Sequence, residues 1–293
     1  MAAQNYAASN TDALPPSGVY SPSGNPVGLY GMKVRLLPYL EQGALYNSIN
    51  ISFDGEAPQR QNDTLLDTQI NAFLCPSDSY SPIPYKDVAT GNSVQIGFTN
   101  YTNNIGTIYS NNGGVLDGPA YLLGATANPS GAQGGTVTLA VVTDGTSNTA
   151  LMSEWVRGRA DASKGTQQVY LSGTAFPVAN TFTPLGNYLR SCQAATKIAV
   201  NYKGTFWFNH KCGQGGGYSH IMTPNFNACL FSNVDDEEQP GRTMIGASWL
   251  HPGGVNVAML DGSVRFIKDS VAQQSWWAIA TMAGGEVISA DSL

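Results

Sequence analysis

The segment HPGGVNVAMLDGSVRF, near the C-terminus, constrains the fold more than any other part of the chain. Asp261-Gly262 is a pair favoured in two-residue type I′ turns, and apolar residues alternate on both sides of it. Such a turn sets Leu260 opposite Ser263 and Val255 opposite Lys268. Directly paired residues share one face of a sheet. This register predicts a hairpin whose core face carries Val255, Val257, Met259, Val264 and Phe266, while Asn256, Ala258, Arg265 and Ile267 lie on the other face.

His251 and Asp261 bracket the hairpin in a chain that has only three histidines. They are candidates for a catalytic pair, for metal ligands or for residues that end a strand. Strands rise about 3.3 Å per residue, so the stretch from Val255 to Leu260 spans roughly 20 Å. A catalytic His–Asp hydrogen bond needs about 3 Å. The pattern therefore excludes a dyad, and it favours Pro252-Gly253-Gly254 as a bend before the strand and Asp261-Gly262 as the turn after it.

The rest of the chain mixes helical and strand patterns. Helical spacing predicts a first helix that ends near Asn10, helices within residues 33–50 and 63–70, and a C-terminal helix from Ser270 to Ala283 that Ser270 caps. Strands are predicted in residues 71–78, on both sides of Asp144-Gly145 within residues 136–156, in the hairpin, and in residues 284–293.

The organisation of these elements predicts an α+β fold. No linker separates two cores, so we expect one domain over residues 1–293. Its N-terminal part, residues 1–50, is predicted to be helical, and residues 91–293 are predicted to be mainly β with a C-terminal helix. The expected arrangement is an N-terminal helix packed on a central antiparallel sheet.

The low charge of the chain limits the class of partner. Charged residues make up 12% of the sequence and the formal net charge is −6, whereas globular domains average about 25% charged residues. Nucleic-acid binding requires clustered Lys and Arg, and the sequence contains no such cluster. A surface built largely from uncharged polar residues favours a location outside the cell and suits chains packed against one another.

The four cysteines include no C-x-x-C pair, which disfavours a structural zinc site. One or two disulfides in an oxidising compartment are expected, with buried free thiols as the alternative. The pairing that we predict is Cys192 with Cys229.

A family resemblance follows from these segments. HPGGVNVAMLDGSVRFIKDS resembles the prepilin-type processing-associated H-x9-D-G motif, in which nine residues separate His251 from Asp261-Gly262. That motif closes a large family of bacterial secreted, pilin-like proteins of unknown function, which is also catalogued as an extracellular solute-binding family. Other segments that agree in order are NYAASNTDALPPSG, KVRLLPYLEQGALY, INAFLCPSD, TNYTNNIGT, TDGTSNTALMSEWV, YSHIMTPN and AGGEVISADS.

The resemblance implies a pilin-like fold and an N-terminal prepilin leader with an apolar helix, of which NYAASN matches the distal end. It further implies export through a type II secretion or type IV pilus-like system to the surface or exterior of a bacterial cell. The implied partners are related pilin-like subunits and the secretion or pilus machinery. Contact with the membrane is expected only through the missing part of the N-terminal helix. The resemblance brings no catalytic activity.

Several other patterns have a functional and a structural interpretation. Asp144, Ser147 and Asn148 in the DGTSN segment offer oxygens for Ca²⁺, but the segment, which also contains Gly145, is typical of a plain turn as well. The acidic run from Val234 to Gln239 is expected to be a solvated loop, with calcium as the alternative. His210 and His220 with Cys212 lack a fourth metal ligand. The tryptophans are expected in the core, with a glycan-stacking face as the alternative.

These observations predict a non-enzymatic, pilin-like structural protein with no catalytic residues and no cofactor other than a possible calcium ion. The alternative is an extracellular module that binds glycans or small solutes. A hydrolase is a third hypothesis, which requires a cleft where a histidine meets a carboxylate and a nucleophile.

Overall fold

The computed structural model describes residues 1–19, 30–53, 62–79, 85–86, 93–107, 116–125, 133–159, 165–173, 185–199, 202–231, 243–250, 252–287, 289 and 293. Its α-helices are α1 Ala2–Ser9, α2 Met32–Leu36, α3 Gly43–Ser48, α4 Asp63–Asp67, α5 Leu185–Ala194 and α6 Gln273–Ala278, and 3-10 turns span Leu37–Leu40, Asn71–Phe73 and Leu139–Val141. Its strands are β1 Gly18–Val19, β2 Tyr85–Lys86, β3 Ser93–Val94, β4 Tyr101–Asn104, β5 Leu122–Ala125, β6 Gln133–Gly134, β7 Ala150–Glu154, β8 Val169–Leu171, β9 Lys197–Ala199, β10 Gly217–Tyr218, β11 Ala228–Leu230, β12 Thr243–Met244, β13 Gly254–Met259 and β14 Val264–Lys268.

A five-stranded sheet in the order β10-β4-β7-β13-β14 positions the site described below. β4, β7, β13 and β14 pair antiparallel, and β10 joins β4 in parallel. The fold is thus mixed, with helices and several sheets, and it is compatible with the predicted α+β class. One face of the sheet carries Val255, Val257 and Met259 into a core that also contains Trp276 and Ile279 of the C-terminal segment.

The register of the β13–β14 hairpin differs from the prediction by one residue. Val255 pairs with Ile267, and the N–H of Met259 donates to the carbonyl oxygen of Ser263 at 2.8 Å. The loop therefore has three residues, Leu260–Gly262, and its last residue Gly262 has φ +88°, as in a type I turn followed by a left-handed residue.

This shift exchanges the two faces of β14, because side chains alternate along a strand. Ile267 is 0% exposed, whereas Val264 and Phe266 are 65% and 48% exposed. The prediction that Val264 and Phe266 belong to the core was wrong. The physical reason lies in Asp261, whose Oδ1 accepts the N–H of Ser263 at 2.8 Å and its hydroxyl at 2.7 Å, so the side chain stabilises the longer loop.

The opposite face of the sheet packs on the N-terminal helices. A register shift in the β7–β13 pair sets Ala258 opposite Met152 and Met259 opposite Ala150, so Leu151 is an extra residue on β7. This bulge turns both Leu151 and Met152 towards a second core, which includes Ala3 of α1 and Leu36 of α2. Ala3 of α1 therefore shares this core with Leu151 of the sheet.

Smaller sheets complete the described part of the chain. The strands β12-β11-β8-β9 form a four-stranded sheet, β1-β5-β6 a three-stranded sheet, and β2-β3 a pair. A disulfide joins Cys192 of α5 to Cys229 of β11, with 5.8 Å between the two Cα atoms. This is the predicted pair, and it links α5 to the four-stranded sheet.

Several local predictions need correction. Residues 71–78 begin with a 3-10 turn instead of a strand, and Leu139–Val141 forms another where the first strand of residues 136–156 is predicted. The C-terminal helix starts at Gln273 with Ala272 as its N-cap and without a side-chain cap, so Ser270 does not cap it. The described residues of 284–293 contain no strand.

The helical prediction for residues 33–50 is confirmed, but three separate segments, α2, the 3-10 turn Leu37–Leu40 and α3, take the place of one helix. Pro38 lies in the first turn of the 3-10 segment, where its missing N–H leaves no intrahelical bond unmade. Glu41 then takes a left-handed conformation with φ +60°, which ends that segment before α3 begins. Helix α1 ends at Ser9, close to the predicted end near Asn10.

Candidate functional site

A groove of about 520 Å³ runs between the N-terminal helices and the five-stranded sheet, on the face of the sheet opposite the core that contains Val255 and Val257. This size lies within the range of roughly 300–1,000 Å³ that small-molecule sites occupy. The N-terminal part of α1 and the end of α2 form one wall, and β4, β7 and β13 form the other. The lining residues are Met1, Ala2, Ala3, Gln4, Leu36, Leu40, Ala72, Phe73, Tyr101, Leu151, Met152, Ser153, Glu154, Asn256, Ala258, Met259, Leu260, Gly262 and Val264.

The polar end of the groove is built by neighbouring strands. Glu154 carries the one charged side chain among the described residues of the lining, and it is only 5% exposed. Its Oε1 accepts the backbone N–H of Asn256 at 2.6 Å and the side-chain N–H of the same residue at 3.1 Å. Tyr101 is paired with Glu154 across β4 and β7. Burial raises the pKa of Tyr101, and Cys75 and the charge of Glu154 add to that increase.

The hairpin turn closes the other end of the groove. The side-chain amide of Gln4 donates to the carbonyl oxygen of Leu260 at 3.3 Å, so α1 is tied to the turn. A Cβ on Gly262 would lie 2.5 Å from Nε2 of Gln4, and the positive φ of Gly262 disfavours any other residue. The positive φ is the physical reason for the glycine of the Asp-Gly motif, since the end of the Gln4 side chain could shift.

The two predicted turn motifs meet at this end. The N–H of Asp261 donates to the carbonyl oxygen of Thr146 at 3.0 Å, and the N–H of Leu260 donates to that of Thr149 at 2.9 Å. Segments more than 100 residues apart in sequence are thus hydrogen-bonded through their backbones. The DGTSN turn and the Leu260–Gly262 loop form one unit, which we term the motif junction.

Asp144 uses its carboxylate to hold the C-terminal segment to the motif junction. Oδ2 accepts the N–H of Gly284 at 2.7 Å and Oδ1 that of Gly285 at 2.9 Å, and the hydroxyl of Thr281 lies 3.3 Å from Oδ2. The turn itself is closed by the side-chain amide of Asn148, which donates to the Asp144 carbonyl oxygen at 3.2 Å. These contacts favour the turn interpretation over calcium binding.

The remaining members of that motif occupy simple turn positions. Gly145 has φ +93°, a left-handed conformation that glycine adopts without strain. Ser147 is exposed. In the described part of the chain, no group of three or more His, Cys, Asp or Glu residues is placed to hold a metal ion.

The first half of the H-x9-D-G motif lies at the opposite end of β13. Pro252 and Gly253 are exposed, and Gly253 has φ +104°. Gly254 begins β13 so close to β14 that a Cβ there would lie 2.0 Å from the carbonyl oxygen of Ile267. His251 lies outside the described residues, as does the acidic run from Val234 to Gln239.

Comparison with known proteins identifies the family. The model of a protein family of unknown function (DUF1559, SBP_bac_10) matches residues 1–274. The chain belongs to this DUF1559 family. The match agrees with the family that the C-terminal motif indicates and with its catalogue name as a solute-binding family. Neither the curated proteins nor the solved structures gave a match.

His220 of the DUF1559 chain is buried and fully engaged in the core. Its Nε2 lies 2.7 Å from the Tyr218 hydroxyl and its Nδ1 lies 2.9 Å from the carbonyl oxygen of Trp276. A carbonyl oxygen only accepts, so Nδ1 carries the proton and Nε2 accepts the Tyr218 hydroxyl. Burial lowers the pKa of His220 to about 3, so the ring is neutral at pH 7.

Cys212 and His210 do not complete a metal site with His220 among the described residues. Burial raises the pKa of the Cys212 thiol to about 12, and metals bind the thiolate. These three residues lack a fourth ligand, and the described part of the chain does not assemble them into a metal site.

The tryptophans of the DUF1559 chain follow the structural interpretation. Trp155, Trp207 and Trp276 are at most 1% exposed. Trp249 and Trp277 pack partly buried against the main core, and their ring N–H groups donate to Asp269 and to the carbonyl oxygen of Ile221. A glycan-stacking face built from the three buried rings is therefore excluded.

No helix in the part of the chain that the structure describes has the length and apolar character needed to cross a bilayer.

The groove and its polar end were not predicted from the sequence. The available signal was Glu154 itself, a carboxylate at the end of the apolar strand segment ALMSE, since an acidic residue in a buried strand requires a polar partner.

Proposed function

We propose that the chain is a non-enzymatic, pilin-like or pseudopilin-like structural protein of the bacterial surface or exterior. The observation that carries this proposal is the position of α1 on the central sheet. Ala3 and Ala7 are its buried residues, and Ala3 packs in one core with Leu151 of the sheet and Leu260 of the hairpin loop. A helix at the N-terminal edge of the domain, fixed on a sheet, can transmit the orientation of a longer helix to the whole domain.

The proposal extends to export and partners. The longer protein would carry a prepilin leader and an apolar helix ahead of α1, and a type II secretion or type IV pilus-like system would export it. Its partners would be copies of itself or related pilin-like subunits and the secretion machinery, and it would contact the membrane only through that helix. The Cys192–Cys229 disulfide suits an oxidising compartment, which supports an extracellular location.

The test expresses the full-length gene in a bacterium that has a type IV pilus or type II system, with and without its prepilin peptidase. We expect the protein in the sheared-surface or medium fraction of the first strain and in the membrane fraction of the second. A Sec-exported protein provides the control, since its distribution does not depend on that peptidase. The same surface fraction in both strains would contradict the proposal.

The alternative function is an extracellular binding module for small solutes. The groove beside α1 is the observation that favours it, because its size and its largely apolar walls with a polar end are those of ligand sites. Titration of small amphiphiles into the purified chain tests this alternative. Failure of every probe to bind would remove it.

A further inference from the structure

A second pocket, of about 510 Å³, lies against the C-terminal half of α1. Its described lining residues are all different from those of the groove at the N-terminal end of that helix. The walls come from α1 and the turn after it, from α2 and from the paired strands β1 and β5. We term it the Arg35 pocket, and it is lined by Tyr6, Asn10, Thr11, Ala13, Pro16, Val19, Arg35, Tyr121, Leu123 and Thr136.

Several polar side chains of these walls already have partners within the chain. The Tyr121 hydroxyl donates to the carbonyl oxygen of Leu14 at 2.7 Å. The Thr11 hydroxyl donates to the carbonyl oxygen of Asn10 at 2.7 Å, and the Asn10 amide donates to that of Tyr6 at 2.7 Å. Because these donors are engaged in local bonds, they offer a ligand little new hydrogen bonding.

Arg35 differs from the other residues of the pocket. It carries the one charged side chain among the described lining residues, and it is half-buried. Its Nε is buried and has no hydrogen-bond partner in the described part of the chain, where Arg35 also forms no salt bridge. Native proteins pair nearly all buried donors, so such an atom points to a partner that binds from outside the chain.

The guanidinium group of Arg35 lies close to two aromatic side chains. Burial raises the pKa of Tyr6, and it raises the pKa of Tyr121 to about 12, whereas the positive charge of Arg35 opposes the rise at both hydroxyls. Guanidinium presents a planar fork of N–H donors that matches a carboxylate. Aromatic faces favour a flat apolar group beside it.

We propose that the Arg35 pocket binds a small carboxylate with an apolar ring, and that the carboxylate pairs with Arg35. The ring would lie against Val19 and Leu123, which are neighbours across β1 and β5. One positive charge balances one carboxylate, whereas a phosphate monoester would bring a surplus of negative charge. The inference goes beyond the pilin-like role and concerns a different site from the groove, so each can fail alone.

The experiment titrates phenylacetate, phenylethanol and phenylethylammonium separately into the purified chain at pH 7, with NMR shifts as the readout. Phenylacetate is expected to bind about tenfold more tightly than phenylethanol, because hydrogen bonds between charged groups are the stronger ones. Phenylethylammonium should bind most weakly. Glucuronate, a carboxylate on a hydroxylated ring, should bind more weakly than phenylacetate, since it buries less apolar surface. The signals that should move are those of the Arg35 Nε–H and the Tyr6 ring.

Three variants locate the site. Arg35→Gln removes the charge and is expected to lower the affinity for phenylacetate to that for phenylethanol. Arg265→Gln is the matched control, because Arg265 is also half-buried and is not a lining residue, and it should leave all affinities unchanged. Thr136→Trp places a large ring at an exposed lining position and should abolish binding of phenylacetate, which keeps the test decisive if Arg35→Gln does not fold.

Several results would overturn the proposal. Equal affinities for phenylacetate and phenylethanol would remove the role of the carboxylate, and tighter binding of glucuronate would remove the apolar ring. Retention of the phenylacetate preference in Arg35→Gln, or unchanged binding in Thr136→Trp, would place the ligand elsewhere. Failure of all four probes to bind would refute the site itself. The export of the protein is measured separately, and none of these results bears on it.

Discussion

The backbone N–H of Asp261 donates to the carbonyl oxygen of Thr146 at 3.0 Å, and this bond joins the two motifs by which the chain resembles its family. The residues around it have structural tasks. Gly262 admits Gln4 of α1, and Asp144 holds the backbone of Gly284 and Gly285. The motifs therefore close the fold at one end of the groove.

Removal of the Asp144 carboxylate should loosen the motif junction. Asp144→Ala leaves the N–H groups of Gly284 and Gly285 without their acceptor, and we expect a loss of about 1–3 kcal/mol in the free energy of unfolding. Urea denaturation measures it. Ser147→Ala, at an exposed position of the same turn, should stay within about 0.5 kcal/mol.

The opposite outcome of that experiment is also informative. If millimolar calcium raises the Tm of the parent chain and this rise disappears in Asp144→Ala, the calcium interpretation of the DGTSN segment regains support. If Asp144→Ala has the same free energy of unfolding as the parent chain, the hydrogen bonds from Gly284 and Gly285 to Asp144 contribute little to stability.

The hairpin register is tested by two neighbouring substitutions. Ile267→Ala removes a side chain that is 0% exposed and should cost about 2–5 kcal/mol. Phe266→Ala removes one that is 48% exposed and should cost far less. Chemical denaturation measures the loss in both variants. The register of a two-residue turn would instead make Phe266→Ala the more destabilising of the two.

This hairpin shows what local sequence can and cannot establish. Alternation of apolar residues around Asp261-Gly262 was enough to predict the hairpin, because both signals are local. The register was not predictable from the pair alone, since the hydrogen bond that the Ser263 N–H donates to the Asp261 side chain selects the three-residue loop. The groove could not be predicted from local sequence at all. Its walls come from Gln4, Glu154 and Asn256, which are far apart in sequence and meet only in the fold.

His220 predicts a pH dependence of stability. Burial lowers its pKa from 6.5 to about 3, so the unfolded chain binds a proton at His220 more readily than the folded chain does. The contribution of His220 to stability is therefore complete above pH 6.5 and is lost as the pH falls from 6.5 towards 3. NMR should show the His220 ring still neutral at pH 5. A protonated ring at that pH would contradict the buried Tyr218–His220–Trp276 arrangement.

The cysteines predict a pattern of chemical labelling. Cys75 is half-buried and Cys212 is buried, and burial raises the pKa of the Cys212 thiol to about 12. Because the thiolate is the reactive form, iodoacetamide at pH 8 should label Cys75 well before Cys212. Cys75→Ser should leave the native protein nearly unlabelled, and unfolding should release Cys212. Rapid labelling of native Cys212 would contradict its burial.

The disulfide has a separate test. Peptide mapping without reduction should yield one cross-linked species, Cys192 with Cys229. The double variant Cys192→Ser, Cys229→Ser should lose about 2–4 kcal/mol, since the bond closes a loop with a sequence separation of 37. A cross-link from either residue to Cys212 or Cys75 would contradict the packing of α5 on β11.

The proposed role of this DUF1559 chain as a pilin-like subunit is tested most directly by the N-terminal peptide of the full-length protein. The protein is isolated from the surface fraction of a bacterium with an active prepilin peptidase and methylase, and the mass of that peptide is measured. The expected peptide begins after a short charged leader, at an apolar helix continuous with α1, and carries an N-methyl group. An unprocessed N-terminus, or one produced by ordinary signal-peptide cleavage, would contradict it.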